Sequence, residues 1–233
     1  MKKLLMCGKN SVIEAIDNGV KIKKLYLAKQ EHLKLFSGLK CQIEVLPTHL
    51  LNALTNENHQ GFIAEIEPLS IYDIDYLIKV KPDNILVLDH IQDPHNLGAI
   101  IRTANAAGIK DIILPKEKCA ELNSTVLKIS SGGFVGMRFY KVSSLSATIT
   151  KLKKHDYWAY ATTLDKNALP HTKVSYNKPS ILIMGNEGEG VSKSVLSVTD
   201  QTIYIEQFGT VQSLNVSVAT GIMLFDLINK QNG

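Results

Sequence analysis

The sequence predicts an α/β protein, with a parallel sheet over residues 84–233 preceded by a smaller α/β unit over residues 1–67. Three observations carry this. From residue 84 onward, short apolar runs alternate with stretches that have a helical apolar period, the pattern of strand–helix–strand units around a parallel sheet. Polar, glycine- or asparagine-bearing loops follow three of those runs, where open α/β sheets place ligands. Pro68 and Pro82 bracket a stretch without sustained periodicity, which divides the chain.

Taken in order, residues 8–18 predict a helix with Val12, Ile13, Ala15 and Ile16 turned inward. Strands are expected at 24–28, 42–46 and 61–66, with a helix at 47–54. Residues 68–83 read as a linker with a short helix around 73–79. The second unit has expected strands at 84–88, 111–114, 138–142, 157–161, 180–184 and 202–205. Helices are expected at 97–107, 124–129, 145–153 and 192–197, the first stopped by Gly108 at its C′ position. A last helix over 215–230 puts Val218, Ile222, Phe225 and Ile228 near one face. No internal repeat or low-complexity segment interrupts the chain.

Composition narrows the class. Hydrophobic content of 45% and charged content of 21% are those of a soluble globular protein. Cys7, Cys41 and Cys119 form no CxxC pair, which argues against a disulfide framework or zinc site and fits a reducing cytosol. The apolar run near the start, residues 4–7, is shorter than a secretory h-region needs, and no segment approaches a membrane span. A cytoplasmic location is expected. Residues 1–40 carry nine lysines against Glu14, Asp17 and Glu31, although the whole chain is only +4. A basic first segment on a near-neutral body suggests a polyanion partner such as nucleic acid; a solvated lysine-rich face is the plainer alternative. All basic residues are lysines except Arg102 and Arg138. Arginine in a loop-and-helix motif of such a chain suggests a need for its planar, permanently charged fork.

Three stretches could carry chemistry. The first offers Asp89, Asp93, His95 and Asn96, with Arg102 on the helix behind them. Asn96 could instead simply cap that helix, and Asp93-Pro94 could be turn chemistry. No further ligand set clusters there, so a metal is not expected. The second stretch, Gly185-Asn186-Glu187-Gly188-Glu189-Gly190, permits close backbone approach to a ligand. It lacks the Gly-Lys-Ser/Thr of a P-loop and the spacing of GxGxxG. The third runs from Ile205 through Ser213, Leu214 and Asn215 into the last helix, where Ser213 could be only an N-cap. Histidines 32, 49, 59, 155 and 171 are scattered, and no Ser-His-Asp or Cys-His arrangement is visible.

Together these stretches resemble the three signature motifs of the SpoU family, RNA ribose 2′-O-methyltransferases of the SPOUT superfamily. The likeness rests on Asp93-Pro94-His95-Asn96-Leu97-Gly98-Ala99-Ile100-Ile101-Arg102-Thr103-Ala104, on Gly185-Asn186-Glu187-Gly188-Glu189-Gly190-Val191, and on Ser213-Leu214-Asn215-Val216-Ser217-Val218-Ala219. The first 67 residues resemble the family's small substrate-binding domain, similar to the ribosomal protein L30e fold, through Gly8 and Val12 and through His59-Gln60-Gly61. Asn10 stands where this subgroup often has His, and Ser130-Ser131-Gly132-Gly133 departs from the usual Ser-x-Gly-Ala. The resemblance implies a deep trefoil knot in the C-terminal third that binds S-adenosylmethionine at Gly185, Asn186, Gly190, Ile205 and Leu214. It also implies a reacting centre of Arg102, Asn96, Glu187, Ser213 and Asn215, and a homodimer that combines Arg102 of one subunit with the cofactor pocket of the other. The implied reaction is methyl transfer to a ribose 2′-hydroxyl, with a guanosine of 23S rRNA as the expected target and no metal. Another rRNA nucleotide or a transfer RNA is the nearest alternative, and a non-catalytic RNA-binding assembly factor the alternative of a different class.

Overall fold

The computed structural model describes residues 3–233. Its first unit is a four-stranded sheet. Strand β1 (Leu4–Cys7) leads into α1 (Lys9–Asp17); β2 (Ile22–Leu27) is followed by a 3-10 stretch and β3 (Gln42–Val45), then α2 (Thr48–Leu54) and β4 (Phe62–Ile66). The order is β1-β4-β2-β3, with β4 antiparallel to both β1 and β2 and β3 parallel to β2. The apolar run at 4–7, too short for a signal, is thus an edge strand whose Met6 and Cys7 are buried.

Residues 68–83 do not form a free linker. They carry β5 (Ile71–Tyr72), which extends the large sheet beside a later strand, and α3 (Ile74–Val80), capped by Asp73 and anchored by the buried Leu77. A two-residue strand has no readable alternation, which is why the sequence pattern does not reveal it.

The large sheet continues with β6 (Asn84–Asp89), α4 (Pro94–Ala106), β7 (Asp111–Pro115), α5 (Ser124–Ile129), β8 (Arg138–Val142), α6 (Leu145–Lys153) and β9 (Trp158–Thr162). It ends with β10 (Leu169–Pro170), a short 3-10 turn, β11 (Ser180–Gly185), α7 (Lys193–Leu196), β12 (Gln201–Tyr204) and α8 (Val216–Asn232). All pairings in this eight-stranded sheet are parallel, in the order β10-β12-β9-β11-β6-β7-β8-β5. The central strands β6, β7 and β11 are buried on both faces, as parallel sheets require. Side chains alternate between the two layers. Leu86, Leu88, Leu182 and Met184 meet α4, α5 and α8 on one face, and Ile85, Val87, Ile181 and Ile183 meet α3, α6 and α7 on the other. The first layer is continuous with Val12, Leu25 and Phe62 of the small unit, so both units share one apolar core.

From β6 the chain proceeds outward to β7 and β8, then crosses to β9 and returns to β11 beside β6. Between β6 and β11 the direction of winding reverses. A crevice opens at such a switch point beyond the carboxyl ends of the strands, and the loops after β6 and β11 flank it.

Candidate functional site

Asp93 caps α4 by accepting from the His95 N–H at 3.0 Å, and Pro94 takes the first helical turn, where a missing N–H costs nothing. Asn96 is therefore not the cap. It is 8% exposed, and its Nδ2 donates to Glu187 Oε1 at 2.6 Å across 91 residues of chain. Asn215, not Ser213, caps α8: its Oδ1 accepts from Ser217 N–H at 2.9 Å and Val218 N–H at 3.4 Å. That leaves Asn215 Nδ2 free to donate to Asn96 Oδ1 at 2.9 Å and to Glu187 Oε1 at 3.0 Å. The three side chains close a triangle in which each amide has a determined orientation and Glu187 Oε2 has no protein partner among the described residues.

The glycine loop that presents Glu187 is built around Asn186. Its Oδ1 accepts from Gly188 N–H at 2.9 Å and Glu189 N–H at 2.7 Å, and its carbonyl accepts from Gly190 N–H at 3.0 Å. The turn closes so tightly that a Cβ on Gly185 would lie 2.1 Å from the Gly190 carbonyl carbon, so no other residue fits there. Asp89, fully buried at the end of β6, accepts from the Ser192 N–H at 2.7 Å and also pairs with His90. It ties the far end of the loop to the central strand. The sequence offers Asp89 among the polar residues of the first stretch; the structure gives it this bracing role.

Two cavities meet at this network. The larger, about 720 Å³, is lined by Gly185, Asn186, Glu187, Gly190, Ile205, Ser213 and Leu214. Thr162, Thr163, Leu164, Asp165, Met184, Gln207, Gln212 and Met223 are among its other lining residues, and none of them is a site residue expected from the sequence. Thr162 ends β9 and residues 163–165 lie in the loop after it, outside all three motifs. The smaller cavity, about 390 Å³, is lined by His90, Gln92, Asp93, Asn96, Lys118, Asn186 and Glu187 among others. Asn186, Glu187 and Val216 border both. Glu187 thus stands at the wall between them, held by Asn96, which lines the smaller cavity, and by Asn215.

Arg102 is not brought into this network. Six residues after Asn96 on a helix of 3.6 residues per turn, it points about 120° away. It is exposed, and its Nη1 donates to Ser131 Oγ at 3.3 Å. On α8, which packs beside α4, Val218, Ile222 and Phe225 are 52%, 37% and 44% exposed, an uncovered apolar stripe; Ile228 is packed against the core instead.

The other expectations divide. His59 faces inward: its Nδ1 accepts from Gly61 N–H at 2.9 Å and its Nε2 then donates to Asn52 Oδ1 at 2.8 Å, so it braces the turn before β4. The lysine surplus of residues 1–40 is partly neutralised on folding, because Glu65 pairs with Lys3 and Lys23, and Glu44 pairs with Lys24. Burial pushes the Cys119 thiol up to about 11, and raises those of Cys7 and Cys41, so none is a poised nucleophile. Among the described residues no helix is long and apolar enough to cross a membrane, and no group of His, Cys, Asp or Glu is placed to hold a metal.

Comparison with known proteins agrees with this architecture. Residues 83–225 match the SpoU rRNA Methylase family, and residues 5–72 match the domain described as RNA 2'-O ribose methyltransferase substrate binding. A Staphylococcus haemolyticus protein named as a TrmH family tRNA/rRNA methyltransferase is 34% identical over 244 residues, covering 100% of this chain and 98% of its own. The AdoMet-bound rRNA methyltransferase of Sinorhizobium meliloti is 26% identical with a TM-score of 0.79, over 98% of this chain and 87% of its own. The SpoU methyltransferase AviRb of Streptomyces viridochromogenes shares the fold at a TM-score of 0.81 and 19% identity, over 100% of this chain and 91% of its own. With both segments matched and a full-length relative above 30% identity, the chain belongs to the SpoU family of RNA methyltransferases.

Proposed function

We propose that this protein transfers a methyl group from S-adenosylmethionine to a ribose 2′-hydroxyl of RNA, with a guanosine of 23S rRNA as the target. The observation that carries the reading is the Glu187 carboxylate at the wall between two cavities, held there by Asn96 and Asn215. The residues suit the cofactor. The larger cavity has the size of a small-molecule site and mixes apolar walls (Met184, Ile205, Leu214, Met223) with backbone donors and acceptors. A Cβ on Gly190 would meet no protein atom within 4 Å, so the glycine leaves room that a side chain would fill. Gly185, Asn186, Gly190, Ile205 and Leu214 would hold the cofactor, which supplies an activated sulfonium methyl.

What remains for the protein is to place the hydroxyl and assist loss of its proton. Asn96 and Asn215 hold the Glu187 carboxylate at the wall, and Ser213 presents a hydroxyl from the cavity side. Arg102 serves as a permanent cation for the phosphate beside the target ribose, since a guanidinium gives up its proton very reluctantly. Its outward aim fits a site completed by a second copy of the chain. The bare Val218, Ile222 and Phe225 of the neighbouring helix offer that copy an apolar contact. With this arrangement we propose the knotted threading of the C-terminal third, and a substrate-binding role for residues 1–67.

The test is incubation with methyl-labelled S-adenosylmethionine and unmodified rRNA or tRNA, followed by mapping of the labelled nucleotide. Label at a 23S rRNA guanosine 2′-oxygen supports the proposal; label in tRNA alone moves the target, and no label in any RNA overturns the reaction. Subunit sharing has its own test. Co-expressed Arg102→Ala and Asn215→Ala chains should each transfer poorly alone, and random pairing should restore about a quarter of the activity. No recovery would mean that Arg102 serves the pocket of its own subunit.

A further inference from the structure

We propose that the turn Ser130-Ser131-Gly132-Gly133 is a positioning device for Arg102, and that it is held in place by the N-terminal unit. The inference rests on the reading of Arg102 as the residue that engages the substrate.

Three contacts converge on the turn. Ser131 Oγ accepts from Arg102 Nη1 at 3.3 Å and is the only protein partner of that guanidinium among the described residues. Gly133 lies flat against α4, where a Cβ would be 2.8 Å from the Arg102 Cα and 2.9 Å from the Ser130 carbonyl oxygen. On its other side, Gly132 abuts the small unit: a Cβ there would lie 2.6 Å from Asn18 Nδ2, at the C-cap of α1. One four-residue turn therefore touches both the backbone and the side chain of the functional arginine, and the end of a helix 114 residues before Gly132 in the chain.

The backbone of the turn adds a second line of argument. Ser131 has φ 46°, in the left-handed region that a serine adopts at a cost. Such a conformation persists only where the surroundings impose it. They do: Ser130 is fully buried with its hydroxyl donating to the Leu127 carbonyl at 2.8 Å, and the Gly133 N–H donates to the Ser130 carbonyl at 2.8 Å. A glycine would relieve the strain at position 131, yet only a side chain with an acceptor can reach the guanidinium. The flexible arginine is thereby given a preferred aim, which lowers the entropy cost of meeting a phosphate.

Ser131→Gly separates the two roles, because it suits the backbone and deletes the acceptor. The expected result is unchanged or raised thermal stability, unchanged S-adenosylmethionine affinity, and a kcat for methyl transfer about tenfold lower. Ser131→Asn, which tolerates the left-handed region and restores an acceptor, should recover most of that loss. Combined with Arg102→Ala, Ser131→Gly should cost nothing further, since the two act as one unit. If Arg102→Ala is inactive but Ser131→Gly transfers methyl at the wild-type rate, the positioning role is overturned and the reading of Arg102 stands. If Arg102→Ala itself retains full activity, both fall.

Discussion

The chain has two arginines, and they are used in opposite ways. Arg138 lies at the amino end of the large sheet. Its Nε donates to Asp111 Oδ1 at 2.7 Å and its Nη2 pairs with Oδ2 of the same carboxylate, while Tyr140 donates to Oδ1 at 2.8 Å. The Asp111 carboxylate is 1% exposed, and its fork-to-fork pairing raises the Arg138 pKa beyond its already high value. Burial, then the bond to Asp111, pushes the Tyr140 hydroxyl upward as well. Every strong donor of Arg138 that faces the protein is consumed there. Arg102 sits on the outer face of α4, holds one long bond to Ser131, and leaves the rest of its donors for something else. A sequence shows two identical residues. Folding makes one a half-buried strut between β7 and β8 and leaves the other an available cation.

That contrast can be broken or sharpened by experiment. Arg138→Ala strands a buried carboxylate, and should lower unfolding free energy by about 3–5 kcal/mol while methyl transfer below the new melting temperature is kept. Denaturant unfolding with a parallel activity assay checks both halves; loss of activity in a still-folded variant would make Arg138 functional. Arg102→Ala should do the converse, cutting transfer by about 100-fold or more, roughly 2.7 kcal/mol, with melting temperature and cofactor affinity preserved. Arg102→Lys should recover little, because an ammonium cannot reproduce the planar fork. Asn215→Ala belongs between the two classes, since that amide both caps α8 and holds Glu187. It should cost about 1 kcal/mol of stability as a lost cap and reduce transfer too, so calorimetry and kinetics must move together. The smallest effect is expected at Glu65, in the small sheet. Burial there works to raise the carboxyl pKa, but hydrogen bonds from Lys3 and Tyr26 outweigh it and the net direction is downward. A carboxylate with a depressed folded pKa stabilises above its unfolded pKa, about 4.3, and that contribution fades as pH falls through the folded value. Glu65→Gln should therefore melt below wild type near neutral pH, with the gap closing in acid.

Much of the large sheet was legible because its strands are buried on both faces and read as continuous apolar runs; 84–88, 111–114 and 180–184 are instances. Gly108 stopped α4 with φ 78°, as its place in the pattern implied. What escaped was short or shared. The run 4–7 became a strand only because β4 lies beside it, and residues 71–72 became one only because β8 does. The basic first segment lost part of its surplus to Glu44 and Glu65, which lie beyond the window that defined it.

The sequence by itself determined which residue types sit in the loops after β6, β11 and β12, because turns need asparagine, glycine and proline and buried strands exclude them. It also determined the family, through three motifs whose order no single loop could supply. Only the tertiary structure decided that Asn96, plausible as a mere helix cap, and Asn215, which takes the cap of α8 in place of Ser213, share one carboxylate while Arg102 faces away. The reason is geometric. Hydrogen bonds across 91 and 119 residues of chain depend on how two parallel strands and two helices pack, and the face a helical residue presents depends on which side its neighbours cover.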